Sequence, residues 1–306
     1  MPPTVTRRTI ELAGLDVPLI ELTGSADGPL LTVISGVHGC EYASMAGVRR
    51  WARSLESREL RGRVRAVPVL NLPAFRNRTP FVVPDDGKNL NRCFPGDPAG
   101  TLAERLAYDT FQQLITGSDA LIDAHCGDMV EALEPFTLYE TGAAEAKAAQ
   151  IATAYGLPYV IRQEPGPDRA VGGTTSSAAA AVGIAAITAE AGECGLVQED
   201  AVAAHVRGLD RVLATLGMTD GPAADAAPPR NLTRFIWLRC EKAGWWEPAV
   251  STGEHVTEGQ LLGTVSTLDG GEVLQSIDAP TAGVPMFITS SPAVADDGLL
   301  LGLGAI

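Results

Sequence analysis

Histidine is scarce in this chain, four in 306 residues, and so is aromatic content, at 5%. Basic charge is in deficit as well: 23 Lys and Arg stand against 37 Asp and Glu, a formal net charge of −14. That balance excludes a broad positive footprint, so neither nucleic acid nor a membrane surface is an expected partner. Five cysteines, an odd number in a chain of this size, do not make a disulfide framework. No apolar segment of signal-peptide type precedes Leu12, and no run reaches the ~18 apolar residues that span a bilayer. The expected compartment is a reducing cytoplasm. Neither a G-x-G-x-x-G nor a G-K-S/T phosphate loop occurs, which removes local support for nucleotide binding. What is present is 45% hydrophobic residues with a mean hydropathy of +0.10, the profile of a folded globule long enough for two domains.

Up to residue 218 the chain alternates short apolar runs with helical patterns. Strands are expected at Leu30 to Ser35, Arg65 to Asn71, Ala120 to Ala124, Pro158 to Arg162 and Ala185 to Ala189. Helices are expected at Glu41 to Glu56, Thr101 to Leu114, Ala143 to Tyr155, Ser176 to Ala181 and Glu199 to Leu216. That rhythm predicts an α/β domain, a mostly parallel, mixed sheet covered by helices. Residues 219–230, rich in Pro, Ala and Gly without a period, read as a linker. Residues 231–306 carry short β-like runs separated by glycine turns and are expected to form a small all-β domain.

Chemistry-bearing residues gather at strand exits. The run Leu30 to Ser35 ends in Gly36-Val37-His38-Gly39-Cys40-Glu41, the third strand delivers His125, and the fifth delivers Glu190. In open parallel sheets ligands bind outside these carboxyl ends. Two imidazoles and a carboxylate suit a catalytic zinc, one per subunit, and His38, Glu41 and His125 supply them. A further carboxylate is then needed to move protons, and Glu190 fits. Asp123 would accept the other ring N–H of His125 if the strand stays regular between them. The plainer alternatives are a polar His38 at a strand exit, Glu41 steadying the first turn of a helix, and a solvated Glu190. Cys40, Cys126 and Cys194 flank these positions and offer a thiolate ligand or nucleophile as a rival.

Asn71, Arg76, Arg78, Asn89, Asn91 and Arg92 crowd the second strand exit and a long loop. Arginines and asparagines concentrated there in an acidic protein point to a carboxylate-bearing substrate, with Asn91 and Arg92 the first candidates. Arg162, before the Glu164-Pro165-Gly166 turn, is a further candidate carboxylate anchor.

Together, Gly36 to Glu41, Asn89-Leu90-Asn91-Arg92-Cys93-Phe94-Pro95-Gly96, Asp123-Ala124-His125 and Thr188-Ala189-Glu190-Ala191-Gly192 resemble the ordered signature of the succinylglutamate desuccinylase and aspartoacylase family. The resemblance implies a zinc carboxypeptidase-like fold, zinc on His38, Glu41 and His125, and Glu190 as general base and acid. It also implies that Asn91 and Arg92 bind the substrate carboxylate and polarise the amide carbonyl, with Arg78 the nearest match to an upstream substrate arginine. The implied reaction is hydrolysis of the amide of an N-acyl amino acid or related small acylated amine, a deacylase or deacetylase activity. The C-terminal segments, among them Gly244-Trp245-Trp246-Glu247-Pro248 and Ala279-Pro280-Thr281-Ala282-Gly283, are similar to the family's lipoyl-like barrel, without a carrier lysine. Its expected task is shaping the cleft entrance or assembling a homo-oligomer. Cys40, Cys126, Asn89 and Glu193-Cys194 depart from the family's usual residues. A peptide-trimming zinc carboxypeptidase, a cysteine-dependent amidase and a non-catalytic metal-binding scaffold are the rival readings.

Overall fold

The computed structural model describes residues 1–164, 172–220 and 227–306. It opens with a hairpin that sequence pattern does not predict, β1 (Thr4–Leu12) against β2 (Leu15–Thr23). Its turn residues Ala13 and Gly14 both hold positive φ, 53° and 80°. This is the mirror-image geometry that matches strand twist, reached without the Asn-Gly pair that usually announces it.

The core elements follow as β3 (Ala26–Ser35), α1 (Tyr42–Ser54), β4 (Arg61–Val67), α2 (Leu72–Asn77), α3 (Leu102–Thr110), β5 (Ala120–His125) and β6 (Glu131–Leu133). Next come β7 (Phe136–Glu140), α4 (Glu145–Tyr155), β8 (Tyr159–Gln163), α5 (Thr175–Ala181), β9 (Ala185–Glu190), α6 (Glu199–Thr215) and β10 (Arg230–Leu232). One sheet runs in the order β1-β2-β4-β3-β5-β9-β7-β8-β10. Its centre is parallel (β4 to β3, β3 to β5, β5 to β9), while β1–β2, β2–β4 and β9–β7 are antiparallel. The sheet is thus mixed, as expected. Helices cover both faces: α1, α4 and α6 bury Trp51, Ile151, Tyr155 and Val212 on one side, and α3 and α5 bury Leu106 and Ala179 on the other. Every residue of β5 is buried, the polar Asp123 and His125 included.

Two expectations shift. The strand placed at Arg65 to Asn71 runs Arg61–Val67, and Asn71 instead caps α2, accepting from the Ala74 N–H at 3.2 Å. β7 is a further strand that the apolar pattern does not announce, and it lies beside β9 near the sheet's functional edge.

After β10 come β11 (Arg234–Arg239), β12 (Gly244–Pro248), β13 (Leu261–Ser266), β14 (Val273–Asp278), β15 (Gly283–Thr289), β16 (Ala293–Val294) and β17 (Leu299–Ala305). They form two four-stranded sheets, β11-β17-β15-β6 and β14-β13-β12-β16. The pairings of the described residues give these two sheets and no closed barrel. β6 crosses from the first half of the chain to pair with β15, and β10 extends the large sheet through β8. Of the expected linker 219–230, residues 221–226 lie outside the described residues, and Arg230 already opens β10. No helix among those described is long and apolar enough to cross a membrane.

Candidate active site

Strand order brings three strand exits side by side. β3, β5 and β9 are consecutive parallel neighbours, so the loops leaving them emerge at the same edge. After β3 the chain turns through Gly36, whose φ of 67° lies in the left-handed region. Gly39 then passes so close to α2 that a Cβ would fall 2.3 Å from the Ala74 carbonyl carbon. The Asn71 amide donates to the Val37 carbonyl at 3.1 Å and holds this loop in place. The two glycines of the motif therefore serve to put His38 and Glu41 at the sheet edge.

Glu41 precedes α1 as its N-cap residue, yet its side chain makes no capping hydrogen bond. Its carboxylate instead bridges both imidazoles, Oε1 at 2.6 Å from His38 Nδ1 and Oε2 at 2.8 Å from His125 Nδ1. The reading of Glu41 as a mere helix-start anion is overturned by this geometry. Each ring has a second partner on its other nitrogen. His38 Nε2 donates to Asn89 Oδ1 at 3.1 Å, and His125 Nε2 donates to Asp123 Oδ2 at 2.8 Å. Strand β5 stays regular through His125, so Asp123 and His125 share a face, the condition set by the sequence. Asp123 is fully buried, and its Oδ2 also accepts from the Thr175 hydroxyl.

Ligand atoms of His38, Glu41 and His125 all lie within 4.8 Å of one another. The donor chemistry fits a divalent metal: two nitrogens and a carboxylate converge, and each imidazole is oriented from behind by an oxygen acceptor. Burial raises the Glu41 pKa, but the two imidazoles outweigh it and hold the carboxyl at about 2. His125 goes well above its ordinary value: burial opposes the charge, and Asp123 and Glu41 together overcome it.

Glu190 pairs in register with His125 across β9 and β5, so the two side chains rise from one face. Burial drives its pKa well above the ordinary carboxylate value, and the neighbouring Glu41 and Glu131 carboxylates add to the rise against the pull of His125. Asn89, Asn91 and Arg92 belong to a single 3-10 turn at Leu90–Arg92 that Asn89 caps. Asn91 is buried, accepts from the Thr175 N–H at 3.0 Å and places Nδ2 3.4 Å from His125 Nε2. Arg92 donates to the Asn91 carbonyl at 2.7 Å.

These residues line a cavity of about 650 Å³ that takes in His38, Glu41, Asn91, Arg92, His125 and Glu190. The two other candidate arginines stand elsewhere. Arg78 is exposed at the left-handed end of α2 and is absent from the cavity lining. Arg162 pairs with Glu145 and Glu164 at 2.8 and 2.7 Å, while its neighbour Gln163 faces the cavity. Adjacent strand residues point to opposite faces, which accounts for that split. The turn expected after Glu164 falls outside the described residues.

The cysteine rival gains nothing. All five cysteines are free, and burial pushes the thiols of Cys40, Cys126 and Cys194 upward, away from a thiolate. Cavity residues that sequence reading missed are Glu131, Phe136, Leu138, Glu140 and Gln163 from the first half, and Phe235, Trp237, Arg239 and Phe287 from the C-terminal strands. A signal for three of these exists, the period-two spacing Phe235-x-Trp237-x-Arg239. Nothing local says which surface that face meets.

Comparison with known proteins agrees with this geometry. The catalytic-domain model of the succinylglutamate desuccinylase/aspartoacylase family matches residues 27–216. A relative, the N-alpha-acetyl-L-2,4-diaminobutyric acid deacetylase of Halomonas elongata, is 29% identical over 249 residues, 78% of this chain and 71% of that one. Among solved structures, a succinylglutamate desuccinylase/aspartoacylase from Rhodobacter sphaeroides superposes with a TM-score of 0.84 at 25% identity, covering 98% of this chain and 94% of that one. The product-bound ectoine utilization protein EutE (DoeB) from Ruegeria pomeroyi also has a TM-score of 0.84 at 25% identity, covering 100% and 99%. With the match spanning most of the large sheet and all three strand exits, the chain belongs to the succinylglutamate desuccinylase/aspartoacylase family.

Proposed function

We propose that this protein is a zinc-dependent amidohydrolase that removes the acyl group from a small N-acylated amino acid or amine. The observation that carries the reading is the Glu41 carboxylate shared between His38 and His125, 2.6 and 2.8 Å away, with Glu190 in register beside His125. His38, Glu41 and His125 would hold the ion. A zinc bound there polarises a carbonyl and brings the pKa of water toward about 7.

The chain's own groups do the rest. Glu190, as carboxylate, accepts a proton from the attacking water and then donates it to the departing nitrogen. The Arg92 guanidinium offers charge to the oxyanion as the carbonyl becomes tetrahedral. Asn91, locked by the Thr175 N–H, keeps that arginine's backbone in place and lies beside His125 Nε2. Arg92 and Arg239 line the cavity and supply positive charge for a substrate carboxylate. The activities by which the relatives are known, deacetylation of acetyl-diaminobutyrate and desuccinylation of succinylglutamate, support a substrate of this size and type. The five unpaired cysteines support a reducing, cytoplasmic setting. The C-terminal strands would shape the cleft entrance, with self-assembly of subunits as their second task.

The test is metal analysis of the purified protein followed by a screen of N-acetyl, N-succinyl and other N-acyl amino acids and diamines. One zinc per chain and release of free amine are expected, with activity lost on chelation and restored by zinc. Glu190→Gln should keep the metal and lose about 10²–10⁴-fold in kcat. Stoichiometric zinc with no hydrolysis would favour the scaffold reading, and an active Glu190→Gln protein would remove Glu190 from its role.

A further inference from the structure

The cavity extends well past the groups that the proposed chemistry uses. At about 650 Å³ it is of a size that encloses whole organic ligands. Beyond the His38, Glu41 and His125 corner, its wall is built by Leu133, Phe136, Leu138, Phe235, Trp237 and Phe287. The aromatic rings lock one another. Phe235 lies 4.7 Å from Trp237 and 5.8 Å from Phe136 between centroids, and it stacks on Phe287 at 6.0 Å with a 12° interplanar angle. Trp237 also lies 5.2 Å from Phe287. Such a surface is held open by its own packing, since no ring can fold inward without losing its neighbours.

Two buried polar atoms without a hydrogen-bond partner among the described residues interrupt this wall, Trp237 Nε1 and Gln163 Oε1. Gln163, 3% exposed, reaches the cavity from β8 in register with Glu140 of β7. Its Oε1 is buried and has no hydrogen-bond partner among the described residues. A buried amide left unmet is costly, and natural interiors seldom keep one without a use. A substrate carrying only an acetyl group and a short polar side chain would leave this part of the cavity unfilled and the Gln163 Oε1 unmet.

From these observations we infer that the substrate carries an aromatic group on one half of its scissile amide, seated against the Phe136, Phe235, Trp237 and Phe287 wall with a polar tip at Gln163. The inference rests on the deacylase reading and narrows it: the substrate is an acylated small acid with a bulky apolar substituent. The ring belongs either to the amino acid or to the acyl group, and the same wall serves both.

Two readouts separate this inference from the reading beneath it. Calorimetric titration of zinc-loaded Glu190→Gln protein compares N-acetyl-L-alanine with N-acetyl-L-phenylalanine for a ring on the amine half. It also compares N-acetylglycine with N-phenylacetylglycine for a ring on the acyl half. Turnover of the same compounds is measured with the unsubstituted protein. At least ~10-fold tighter binding is expected for one aromatic compound over its small counterpart, with kcat/KM following. Gln163→Leu tests the tip: the native protein should prefer the para-hydroxylated form of the favoured compound several-fold, and the variant should not. Turnover of the small compounds with no gain from the ring keeps the deacylase reading and overturns the pocket. Selective binding of the ring with no turnover of any compound keeps the pocket and overturns the deacylase reading. Equal hydroxyl preference in the native and Gln163→Leu proteins overturns the assignment of the tip.

Discussion

At Glu41 a carboxylate that opens α1 turns away from the helix and takes Nδ1 of two imidazoles, which leaves the outer ring nitrogens to be held by other side chains. Those holders differ in kind. Asp123 brings a charge to His125, whereas Asn89 brings a neutral amide oxygen to His38. Orienting partners of this type are worth about 10–100-fold in metal affinity when removed. Asn89→Ala is therefore expected to weaken zinc binding by about that factor, as read by competition with a chromogenic chelator. Unchanged affinity would mean that Asn89 merely caps the Leu90–Arg92 turn. In the sequence Asn89 stands out as one of a crowd of asparagines and arginines in a long loop and as a departure from a family pattern. Its value depends on the loop from residue 78 to 89 returning to the β3 exit, a long-range contact that no local spacing encodes.

Between elements, α1 packs closely on α6. Gly47 faces α6 so closely that a Cβ there would lie 2.7 Å from His205 Cβ. Gly47→Ala would gain about 1 kcal/mol in helix propensity, while forcing the contact costs about 1–3 kcal/mol. The clash wins, and a lower denaturant midpoint is the expected result. A stabilised variant would show that the helices part without cost. His205 itself is wholly buried: its Nε2 donates to the Ala191 carbonyl at 3.0 Å, so its Nδ1 accepts from the Tyr155 hydroxyl at 2.8 Å. Burial brings its pKa down to about 4. The unfolded chain, with its histidine near 6.5, then binds the extra proton between those two values. Stability from this group is complete above about pH 6.5 and is lost as pH falls toward 4, on the order of 3 kcal/mol over the window. The comparison that isolates it is urea denaturation at pH 7 and pH 4.5 beside a His205→Asn variant, whose dependence should be shallower. Sequence pattern places α1 and α6 within two residues because their apolar stripes repeat at helical spacing. Helical spacing alone does not announce that His205 is buried, since burial of a polar side chain depends on the partner helix.

Across the whole molecule, the two halves of the chain share one apolar cluster. Leu133, Phe136, Tyr159 and Ile161 from the first half pack against Leu232, Phe235, Val284, Met286 and Phe287 from the second. β10 extends the large sheet and β6 extends a C-terminal one, so backbone pairing crosses in both directions. A fragment ending at residue 229 is expected to expose that cluster, bind a hydrophobic dye and lose solubility. A well-behaved fragment would mark the C-terminal strands as an appended module. The α/β rhythm, the buried parallel centre and the four residues His38, Glu41, His125 and Glu190 were all legible from the residues. Strand exits carry their chemistry locally, and parallel neighbours must deliver those exits to one edge. Which face Phe235, Trp237 and Arg239 would present, whether Arg78 and Arg162 would reach the cavity, and how Gln163 came to lie beside Glu140 were decided only by tertiary structure. These are contacts between distant segments, set by strand order and by which side of a strand is covered, and a period of two names the faces without saying what each one meets.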